Sequence, residues 1–412
     1  MTLPVDMLPV IAPDSDTPGL LAGITILDLT TSIAGPYATM LLADLGAEVI
    51  KVERPNSGDD TRSWGPPFLG GTSLWYLSVN RNKRSVALDY STDEGRAILY
   101  RLVESCDAVI VNMVPRVQKK LKVDHRSLAA VRPDIVFCSI TGFGLDGARA
   151  DKTSYDLIAE GYSGIMDITG EAESPPQKVG APAADMLSGM DAAMAVIAAL
   201  FERQRSGKGH SIDIAMIESM TRFLSPRIMT YLGSGEVPRR TGAKDSVIAI
   251  YQSFDTADEP LTLGLGNDGI WQRFWDTVGE PDYARQERFS TNAKRHAVRP
   301  EIVARIQAIL NTRGRDAWLD AFERNGIPSG PINRIDQVAH DPELARRGLF
   351  YAMTVGDEAI PQVGLGIAID GAPIQARRPP PSLGADTEAI LTQRAGCSPD
   401  DIATLRTESV IQ

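Results

Sequence analysis

Residues 24–53 read ITILDLTTSIAGPYATMLLADLGAEVIKVE, and this stretch decides the fold. Its first part, Ile24–Leu29, is apolar and rich in β-branched residues, which predicts a strand. The turn TTSIAGP follows, and YATMLLADLG then has helical spacing of apolar residues and ends at a glycine. Glu48–Glu53 (EVIKVE) predicts a second strand. We therefore predict a strand, a loop, a helix and a second strand.

The same alternation recurs along the first half of the chain. Further strands are predicted at Ser85–Leu88, Ala108–Asn112, Ile135–Ile140 and Ser211–Ala215, and helices at Ser91–Ser105, His125–Ala130 and Met186–Arg205. The last of these helices carries an apolar stripe and ends at the segment SGKG. Short strands that alternate with helices form a parallel sheet with helices on both faces, so we predict an α/β fold.

The character of the sequence changes near residue 225. The polar, basic segment SGEVPRRTGAKDS predicts a linker or an exposed loop, and Val247–Phe254 with Leu261–Leu265 predicts a hairpin. Two or three helices follow, so residues 226–325 are predicted to form a linker and a small α+β domain. The turn-rich segment GIPSGPINRIDQVAHDPELARRG leads out of it. The tail has strand-like pieces and a predicted final helix near Asp386–Arg394.

Composition narrows the possible functions. The chain has 412 residues, of which 43% are hydrophobic and 23% charged, as is typical of a globular enzyme with two domains. The formal net charge of −11 argues against nucleic acid and anionic membranes as partners. We expect no membrane span, because no apolar run approaches the required length. The N-terminus does not resemble a secretory signal, so a cytoplasmic protein with residues 1–18 as a mobile extension is expected.

Cysteine and histidine spacing gives no indication of a disulfide or a metal. Cys106, Cys138 and Cys397 are far apart and form no CxxC pair, so no disulfide framework is expected. The four histidines have no metal-binding spacing, so we predict no metal site.

One segment imitates a nucleotide-binding motif. Gly264–Gly269 matches G-x-G-x-x-G between a strand and a helix, but a dinucleotide site also needs a second parallel strand and an acid about 20 residues later. Neither is evident, so a turn followed by a helix start is favoured. In the N-terminal unit Glu53 has the position of a ribose-binding acid, yet TTSIAGP lacks the glycine fingerprint. An NAD-dependent oxidoreductase remains an alternative, which hydride chemistry with NADH would support.

Five blocks of sequence resemble the class III CoA transferase family, in the order in which the family has them. They are the stretch that begins GITILDLTTSIAGP, then NRNKRSVALD, SYDLIAEGYSGIMDITG, the block from APAADMLSG to SIDIAM, and IPSGPINRIDQVAHDPELARRG. The family includes formyl-CoA and carnitine CoA transferases and the related α-methylacyl-CoA racemases. The resemblance implies transfer of coenzyme A from an acyl-CoA to a free carboxylic acid, with no tightly bound cofactor.

Asp185, in the segment AADMLSG, matches the nucleophilic aspartate of the family. From its position alone, Asp185 is better explained as the N-cap of a helix that starts at Met186, because aspartate is among the preferred N-cap residues. The surrounding blocks reverse that preference. The resemblance implies that the carboxylate attacks the thioester carbonyl, which gives a mixed anhydride and then an aspartyl-CoA thioester.

The resemblance also implies a set of CoA-binding residues on several loops. The set comprises Ser32, Ile33 and Ala34 after the first strand, together with Arg54, Leu88, Asn112, Met113 and Lys120. Arg54 and Lys120 could pair with phosphates, and each could equally be a solvated surface charge. Ile33 replaces a glutamine found in a known transferase of the family, and isoleucine cannot donate a side-chain hydrogen bond. The acids that this chain accepts therefore stay open.

Tyr155 distinguishes a transferase from a racemase within this resemblance. The racemases carry a histidine directly before the aspartate that matches Asp156, and it forms a two-base pair with the aspartate that matches Asp185. A tyrosine, with an ordinary pKa of about 10, is a poor base at neutral pH, so CoA transfer is favoured. Tyr155 could instead be a packing aromatic, and Asp156 could orient the site or be a surface or capping carboxylate. An α-methylacyl-CoA racemase or epimerase and a catalytically silent CoA-binding homologue remain alternatives, and an intact Asp185 argues against the second.

The resemblance implies a specific domain arrangement as well. Residues 19–225 would form a Rossmann-like large CoA-binding domain, and residues 326–412 would be a return linker and the C-terminal part of that domain. The small domain would come between them in the chain. Two chains of the family pass through each other as interlocked rings, so we expect a ring-like homodimer.

Overall fold

The computed structural model describes residues 4–12 and 19–412. Its strands are β1 (Thr25–Leu29), β2 (Glu48–Glu53), β3 (Phe68–Leu69), β4 (Thr72–Ser73), β5 (Lys83–Ala87), β6 (Ala108–Val111), β7 (Val136–Thr141), β8 (His210–Ala215), β9 (Tyr251–Phe254), β10 (Leu261–Gly264), β11 (Ser329–Pro331), β12 (Phe350–Val355), β13 (Glu358–Val363), β14 (Ala368–Ile369) and β15 (Ala372–Pro373).

The α-helices are α1 (Ala34–Asp44), α2 (Leu74–Val79), α3 (Asp93–Glu104), α4 (Pro115–Leu121), α5 (His125–Val131), α6 (Asp156–Ser163), α7 (Ile165–Ile168), α8 (Ala183–Ser206), α9 (Met216–Phe223), α10 (Ser225–Ser234), α11 (Asp268–Thr277), α12 (Pro281–Ala284), α13 (Asn292–Ala297), α14 (Arg299–Leu310), α15 (Arg315–Arg324), α16 (Ile335–Ala339), α17 (Pro342–Arg346), α18 (Thr387–Ala395) and α19 (Pro399–Thr407). Short 3₁₀ helices occupy Pro4–Met7, Asp60–Ser63 and Glu287–Phe289.

One parallel sheet forms the centre of the larger unit. Its strand order is β5-β2-β1-β6-β7-β8, and every neighbouring pair is parallel. The predicted parallel sheet and α/β fold are therefore confirmed. The chain runs outward from β1 through β2 to β5 and then returns to β6 on the other side of β1. This reversal creates a topological switch point between the carboxyl ends of β1 and β6, where open α/β sheets bind ligands.

Helices cover both faces of the sheet, so its inner strands are buried. Every residue of β1, β6 and β7 is buried, as expected for parallel strands that are covered on both faces. α1 and α8 pack against each other, and α8 also contacts β7 and β8. Side chains of α3, α5, α18 and α19 belong to a core cluster with residues of β2, β5 and β6. Two helices of the C-terminal tail thus belong to the same core as the N-terminal strands.

Some helices differ from the sequence prediction. α4 was not predicted, although Pro115 occupies its first turn, where proline is tolerated because that N–H has no helical partner. The helix predicted near Asp386–Arg394 corresponds to α18, but it is not the final helix. α19 follows it, with Ser398 and Asp401 forming a capping box at its start.

The chain divides into two compact units whose boundaries differ from those predicted. The larger unit contains the described residues up to Ile165, together with Lys178–Gly233 and Asp341–Gln412, and the smaller unit contains Met166–Gln177 and Ser234–His340. The predicted boundary at 225/226 falls in the first turn of α10, whereas the larger unit continues to Gly233. The predicted boundary at 325/326 precedes β11, which pairs with β10, and the smaller unit continues to His340. Residues 166–177 join the smaller unit through bonds such as Gly242 N to Gly170 O (2.9 Å).

The smaller unit is built on an antiparallel sheet of order β11-β10-β9. The predicted hairpin is present as β9 and β10, although its first strand begins only at Tyr251. Trp271, Phe274 and Trp275 of α11 are buried in its core. Gly264–Gly269 forms a turn and a helix start, since Asn267 Oδ1 accepts a hydrogen bond from Ile270 N (2.9 Å). β10 is antiparallel to both neighbours, so a βαβ dinucleotide unit is not formed here.

The predicted N-terminal extension is described only at residues 4–12, and the rest of residues 1–18 lies outside the described residues. Ile11 N donates to Ala352 O (2.9 Å), and Ala352 N donates to Pro9 O (2.9 Å). These bonds attach residues 9–11 to β12, in contrast to the mobile extension that we predicted for this segment.

Within the described residues, α8 is long and apolar enough to cross a membrane, contrary to the sequence expectation. It has 24 residues, and its most apolar window has a mean hydropathy of 1.5. However, α8 packs against α1 and β7, and Ala184, Gly189, Ala192 and Val196 on it are buried. This burial is typical of a core helix in an α/β domain.

Candidate active site

Asp185 lies in the first turn of α8 and is not the N-cap residue. α8 begins at Ala183 and follows Pro182, which provides no side-chain cap. The cap comes instead from Asp156 at the start of α6. Its Oδ1 accepts hydrogen bonds from Ala184 N (2.8 Å) and Asp185 N (3.3 Å). The predicted helix start at Met186 was therefore wrong because the capping carboxylate comes from a different element of the fold.

The environment of Asp185 disfavours its negative charge. Burial raises the pKa of Asp185 to about 7, and the neighbouring Asp156 carboxylate adds to the increase. No described residue donates a hydrogen bond to the Asp185 carboxylate. A carboxylate that is poorly solvated and has no hydrogen-bond donors attacks an electrophile more readily once it is ionised.

Glu160 is a further buried acid beside this pair. It lies one helical turn after Asp156 on α6, and its side chain is fully buried. Its Oε2 accepts a hydrogen bond from Val179 N (2.9 Å), which fixes the segment that leads into α8. Burial raises the pKa of Glu160, and the charge of Asp156 contributes to the increase. Sequence reasoning missed Glu160, although its i, i+4 spacing from Asp156 was visible in the segment DLIAE.

Gly189 brings Asp185 close to the loop after β1. A Cβ atom on Gly189 would lie 2.7 Å from Ala34 O and 3.0 Å from Tyr37 Cδ1, so only glycine allows α1 and α8 to approach this closely. Asp185 lies one turn before Gly189 on the same face of α8. Both helices begin at the carboxyl edge of the sheet, because α1 follows β1 and α8 leads into β8. The predicted nucleophile and the predicted loop Ser32-Ile33-Ala34 therefore share that edge.

The switch point between β1 and β6 is organised by Asn112. Its Oδ1 accepts a hydrogen bond from Thr31 N (3.0 Å), and its Nδ2 donates to Thr31 O (2.7 Å). Ile33 is the N-cap residue of α1 and provides no side-chain cap; its own side chain is buried. The N–H of Ala34 has no hydrogen-bond partner among the described residues. The start of α1 therefore offers backbone donors to a ligand at this edge.

The other predicted CoA contacts follow the strand ends in the same region. Arg54 comes directly after β2, is more than half exposed and forms an ion pair with Asp60. Leu88 comes directly after β5, but its side chain is completely buried in the core. Its side chain thus packs in the core, and CoA binding by Leu88 stays a prediction that concerns its backbone atoms. Met113 follows β6 and is partly buried, and Lys120 is exposed on α4.

Tyr155 is the N-cap residue of α6, directly before the capping Asp156. Its side chain is 63% exposed, and its hydroxyl has no hydrogen-bond partner among the described residues. Within the described residues Tyr155 is therefore not a core residue, and its role beside Asp185 stays a prediction. Its ring and hydroxyl are available to a ligand beside Asp185.

Comparison with known proteins decides the family. The family model described as CoA-transferase family III matches residues 21–387. The chain belongs to CoA-transferase family III. The match spans the parallel sheet, both units and the start of α18, and it agrees with the resemblance found in the sequence blocks.

Relatives within CoA-transferase family III match over nearly the whole chain. A succinate–glutarate CoA-transferase from Agrobacterium fabrum is 40% identical over 380 residues, which cover 90% of this chain and 95% of the relative. The human succinyl-CoA:glutarate CoA-transferase is 36% identical over 386 residues, which cover 92% of this chain and 88% of the human protein. A crystal structure of a CAIB/BAIF family protein from Brucella suis has a TM-score of 0.81 and 36% identity, and covers 92% of this chain and 100% of that one. These similarities support class III CoA-transferase activity, with CoA thioesters and carboxylic acids as substrates.

Proposed function

We propose that this protein transfers coenzyme A from succinyl-CoA to glutarate through covalent intermediates on Asp185. The observation that carries the proposal is the position of Asp185 at the start of α8, at the sheet edge that also holds the loop after β1. The choice of acids rests on the two relatives named for succinate or succinyl-CoA and for glutarate, at 40% and 36% identity.

The proposed reaction exchanges the two acids at one carboxylate. Asp185 attacks the thioester carbonyl of succinyl-CoA, and the bond to sulfur breaks to give a succinyl–aspartyl anhydride and CoA thiolate. The thiolate then attacks the aspartyl carbonyl, which releases succinate and leaves an aspartyl-CoA thioester. Glutarate attacks this thioester, its carbon–sulfur bond breaks, and a second anhydride and free CoA thiolate form. The thiolate finally attacks the glutaryl carbonyl, which gives glutaryl-CoA and restores the Asp185 carboxylate.

Three groups of the chain would assist these reaction steps. Asp156 occupies the N–H groups of Ala184 and Asp185, and so it fixes the backbone of the nucleophile. The free N–H of Ala34 at the start of α1 provides a donor for negative charge that develops on a thioester oxygen or on the thiolate. The exposed Arg54 beyond β2 could exchange Asp60 for a phosphate of CoA.

The rate should depend on pH through the ionisation of Asp185. Since its pKa is raised to about 7, the nucleophile is protonated below that pH, and kcat/KM is expected to fall about tenfold per pH unit on the acid side. Asp156→Asn removes the neighbouring negative charge while keeping an oxygen that can accept from Ala184 N. Its pH–rate profile should therefore shift toward lower pH. Profiles of kcat/KM between pH 5 and 9 for both proteins measure this, and a profile that does not move would contradict it.

Racemisation is the alternative function, and the position of Tyr155 argues against it. A racemase needs two bases on opposite sides of the α carbon, and the residue before Asp156 is a tyrosine, whose ordinary pKa is about 10. Incubating the protein with a 2-methylacyl-CoA in D₂O tests this directly. We expect no deuterium at the α carbon, whereas rapid deuteration without acid exchange would support a racemase.

The transferase proposal is tested by mass spectrometry of acyl-CoA products. Purified protein would be mixed with succinyl-CoA and a panel of free acids that includes glutarate, mesaconate, oxalate, an aromatic acid and carnitine. We expect glutaryl-CoA to form faster than any product from a monocarboxylic acid. Exchange with none of the acids would refute the proposal, and a preference for a monocarboxylate would refute the substrate assignment alone.

We also propose that the protein is a cytoplasmic homodimer. Large apolar side chains on α8 are exposed in the single chain, namely Met190 (52%), Met194 (64%) and Phe201 (61%). Exposed apolar residues repeated along one helix are typical of a surface that a second subunit covers. Light scattering coupled to gel filtration should give twice the 44.5 kDa chain mass, and a monomer at micromolar concentration would contradict the dimer.

The proposed cytoplasmic location agrees with the state of the cysteines. The thiols of Cys106, Cys138 and Cys397 are unpaired, as is usual in a reducing compartment.

A further inference from the structure

The loop after β1 contains a residue in an unfavourable backbone conformation. Ser32 has a φ angle of 69°, in the left-handed region that residues with a side chain rarely adopt. Such a conformation persists only when surrounding groups hold it, and it is often found at ligand sites. Ser32 lies directly before Ile33 and Ala34, whose backbone opens toward the switch point. Its conformation therefore decides where that backbone points.

An ion pair below the sheet edge holds both ends of this loop. Lys51 Nζ donates to Thr30 O (2.8 Å) and lies 2.8 Å from Asp59 Oδ2. Asp59 Oδ1 accepts a hydrogen bond from Ser32 N (3.1 Å). The two charged side chains thus connect the backbone before and after Thr31. Neither side chain has any exposed surface.

The Asp59 carboxylate is itself fixed by several donors. Asp59 Oδ1 also accepts from Thr61 N (2.9 Å) and Thr61 Oγ1 (2.8 Å), and Asp59 N donates to Glu53 Oε2 (3.0 Å). Glu53 in turn accepts from Arg62 Nε (2.8 Å). The Lys51–Asp59 ion pair is therefore held in place, so it resists movement of the loop residues that it contacts.

Stability alone does not explain a buried pair of this kind. Removing two charges from water costs free energy that their attraction often fails to offset, and well-packed apolar residues can replace such a pair without loss of stability. The hydrogen bonds from Lys51 and Asp59 end on the backbone of the strained loop. A geometric function explains this arrangement better than a stabilising one.

We infer that Lys51 and Asp59 are positioning residues for the acyl-CoA substrate, holding Ser32 in its left-handed conformation so that the backbone of Ile33 and Ala34 faces the ligand. The inference rests on the proposed function, since it assigns these residues to CoA binding at the same site. Neither residue would touch the substrate. Their effect would appear in the affinity for CoA more than in the rate of the chemical steps.

The test replaces the ion pair with apolar residues of similar size. In the double variant Lys51→Met with Asp59→Leu, no unpaired charge is left buried, so the variant should fold. We expect the KM for succinyl-CoA and the dissociation constant for free CoA, measured by calorimetry, both to rise about tenfold or more. kcat at saturating succinyl-CoA should change much less. A double variant that folds with wild-type KM and wild-type CoA affinity would overturn the inference.

Ser32→Gly provides a rescue that a purely structural role would not show. Glycine adopts positive φ angles without strain, so adding Ser32→Gly to the double variant should recover several-fold of the lost CoA affinity. The same glycine should not lower thermal stability, because at a positive φ the strain that it relieves in the folded loop exceeds the entropy that it adds to the unfolded chain. The melting temperature therefore shows that the triple variant is folded, and the affinity for CoA is the quantity that tests the loop. No recovery of affinity would count against the inference.

A second buried ion pair in the same unit serves as the matched control. Arg81 Nη2 and Asp44 Oδ2 lie 2.6 Å apart, and both side chains are 2% exposed. Asp44 is the last residue of α1, at the opposite end of that helix from the loop. Arg81→Met with Asp44→Leu should leave the KM for succinyl-CoA unchanged.

The wild-type protein separates this inference from the proposed function. If it binds CoA but transfers it to no acid, the proposed function fails, and calorimetry of the variants still tests the ion pair. If it binds no CoA, the proposed function and the inference about the ion pair both fail.

Discussion

Asp185→Ala is expected to lower kcat for CoA transfer by roughly 10³-fold or more, because loss of the nucleophile removes every covalent intermediate. The KM for succinyl-CoA should change little, since we propose that the loops at the switch point, and not Asp185, hold most of the CoA. Steady-state assays of glutaryl-CoA formation measure both values. Asp191→Asn on the same helix is the control, because Asp191 is not part of the proposed site and its Oδ2 accepts a hydrogen bond from Ser219 Oγ of α9 (2.7 Å). Its kcat should stay within about twofold of the wild-type value.

Asp185→Asn should also show that the carboxylate reduces stability. The pKa of Asp185 in the folded protein, about 7, lies above the value of 3.8 that an unperturbed aspartate has. The folded state therefore holds the proton more tightly than the unfolded state, and stability is lost as pH rises from about 4 to above 7. Removing this group should raise the melting temperature at pH 8 and leave it nearly unchanged at pH 4. A lower melting temperature at pH 8 would indicate a structural role for Asp185 instead.

Gly189→Ala is expected to cause the second largest decrease in kcat, because it increases the distance between α1 and α8. The added Cβ would lie 2.7 Å from Ala34 O, so the two helices must separate. Overpacking of this kind costs about 1–3 kcal/mol of stability. Since Asp185 and the loop after β1 are carried by these two helices, displacement of one against the other should lower kcat by roughly 10- to 100-fold.

The control for Gly189→Ala is another helical glycine of the larger unit. Gly233 lies in α10, and a Cβ there would meet no atom within 4 Å. Gly233→Ala should leave kcat unchanged and preserve or slightly increase stability, because alanine has the higher helix propensity. Thermal melts and steady-state kinetics of both variants separate the packing effect from propensity. Equal behaviour of the two variants would show that the close approach of α1 and α8 is unimportant for activity.

The elements of the parallel sheet were predictable because local pattern and tertiary environment agree there. The strand predicted at Ile24–Leu29 is β1 at Thr25–Leu29, and the strand predicted at Glu48–Glu53 is β2 with the same bounds. Both are buried over nearly their whole length, and each has apolar residues on both faces, as is typical of a strand between two layers of helices. The order of the strands, and hence the switch point, followed from no local pattern.

Features that depend on distant contacts could not be predicted. α8 begins three residues earlier than its sequence suggested because its cap is Asp156, 29 residues away. β11, which continues the smaller unit beyond residue 325, is only three residues long and is defined by its pairing with β10. In the sequence Lys51 and Asp59 are an ordinary strand residue and a loop residue, and the pairing of their side chains beneath Ser32 is visible only in the folded chain.

The central claim is that Asp185 carries the acyl group and then coenzyme A, and an oxygen-isotope experiment tests it most directly. The protein would turn over succinyl-CoA with glutarate that is labelled with ¹⁸O in both carboxylates, and the peptide containing Asp185 would then be analysed by mass spectrometry. In the proposed route glutarate attacks the aspartyl-CoA thioester, so one glutarate oxygen remains in the Asp185 carboxylate. We predict a mass increase of about 2 Da on that peptide after one turnover, which approaches about 4 Da as repeated turnovers replace the second carboxylate oxygen. Labelled succinate together with an unlabelled Asp185 peptide would show direct attack of glutarate on succinyl-CoA and would contradict the account.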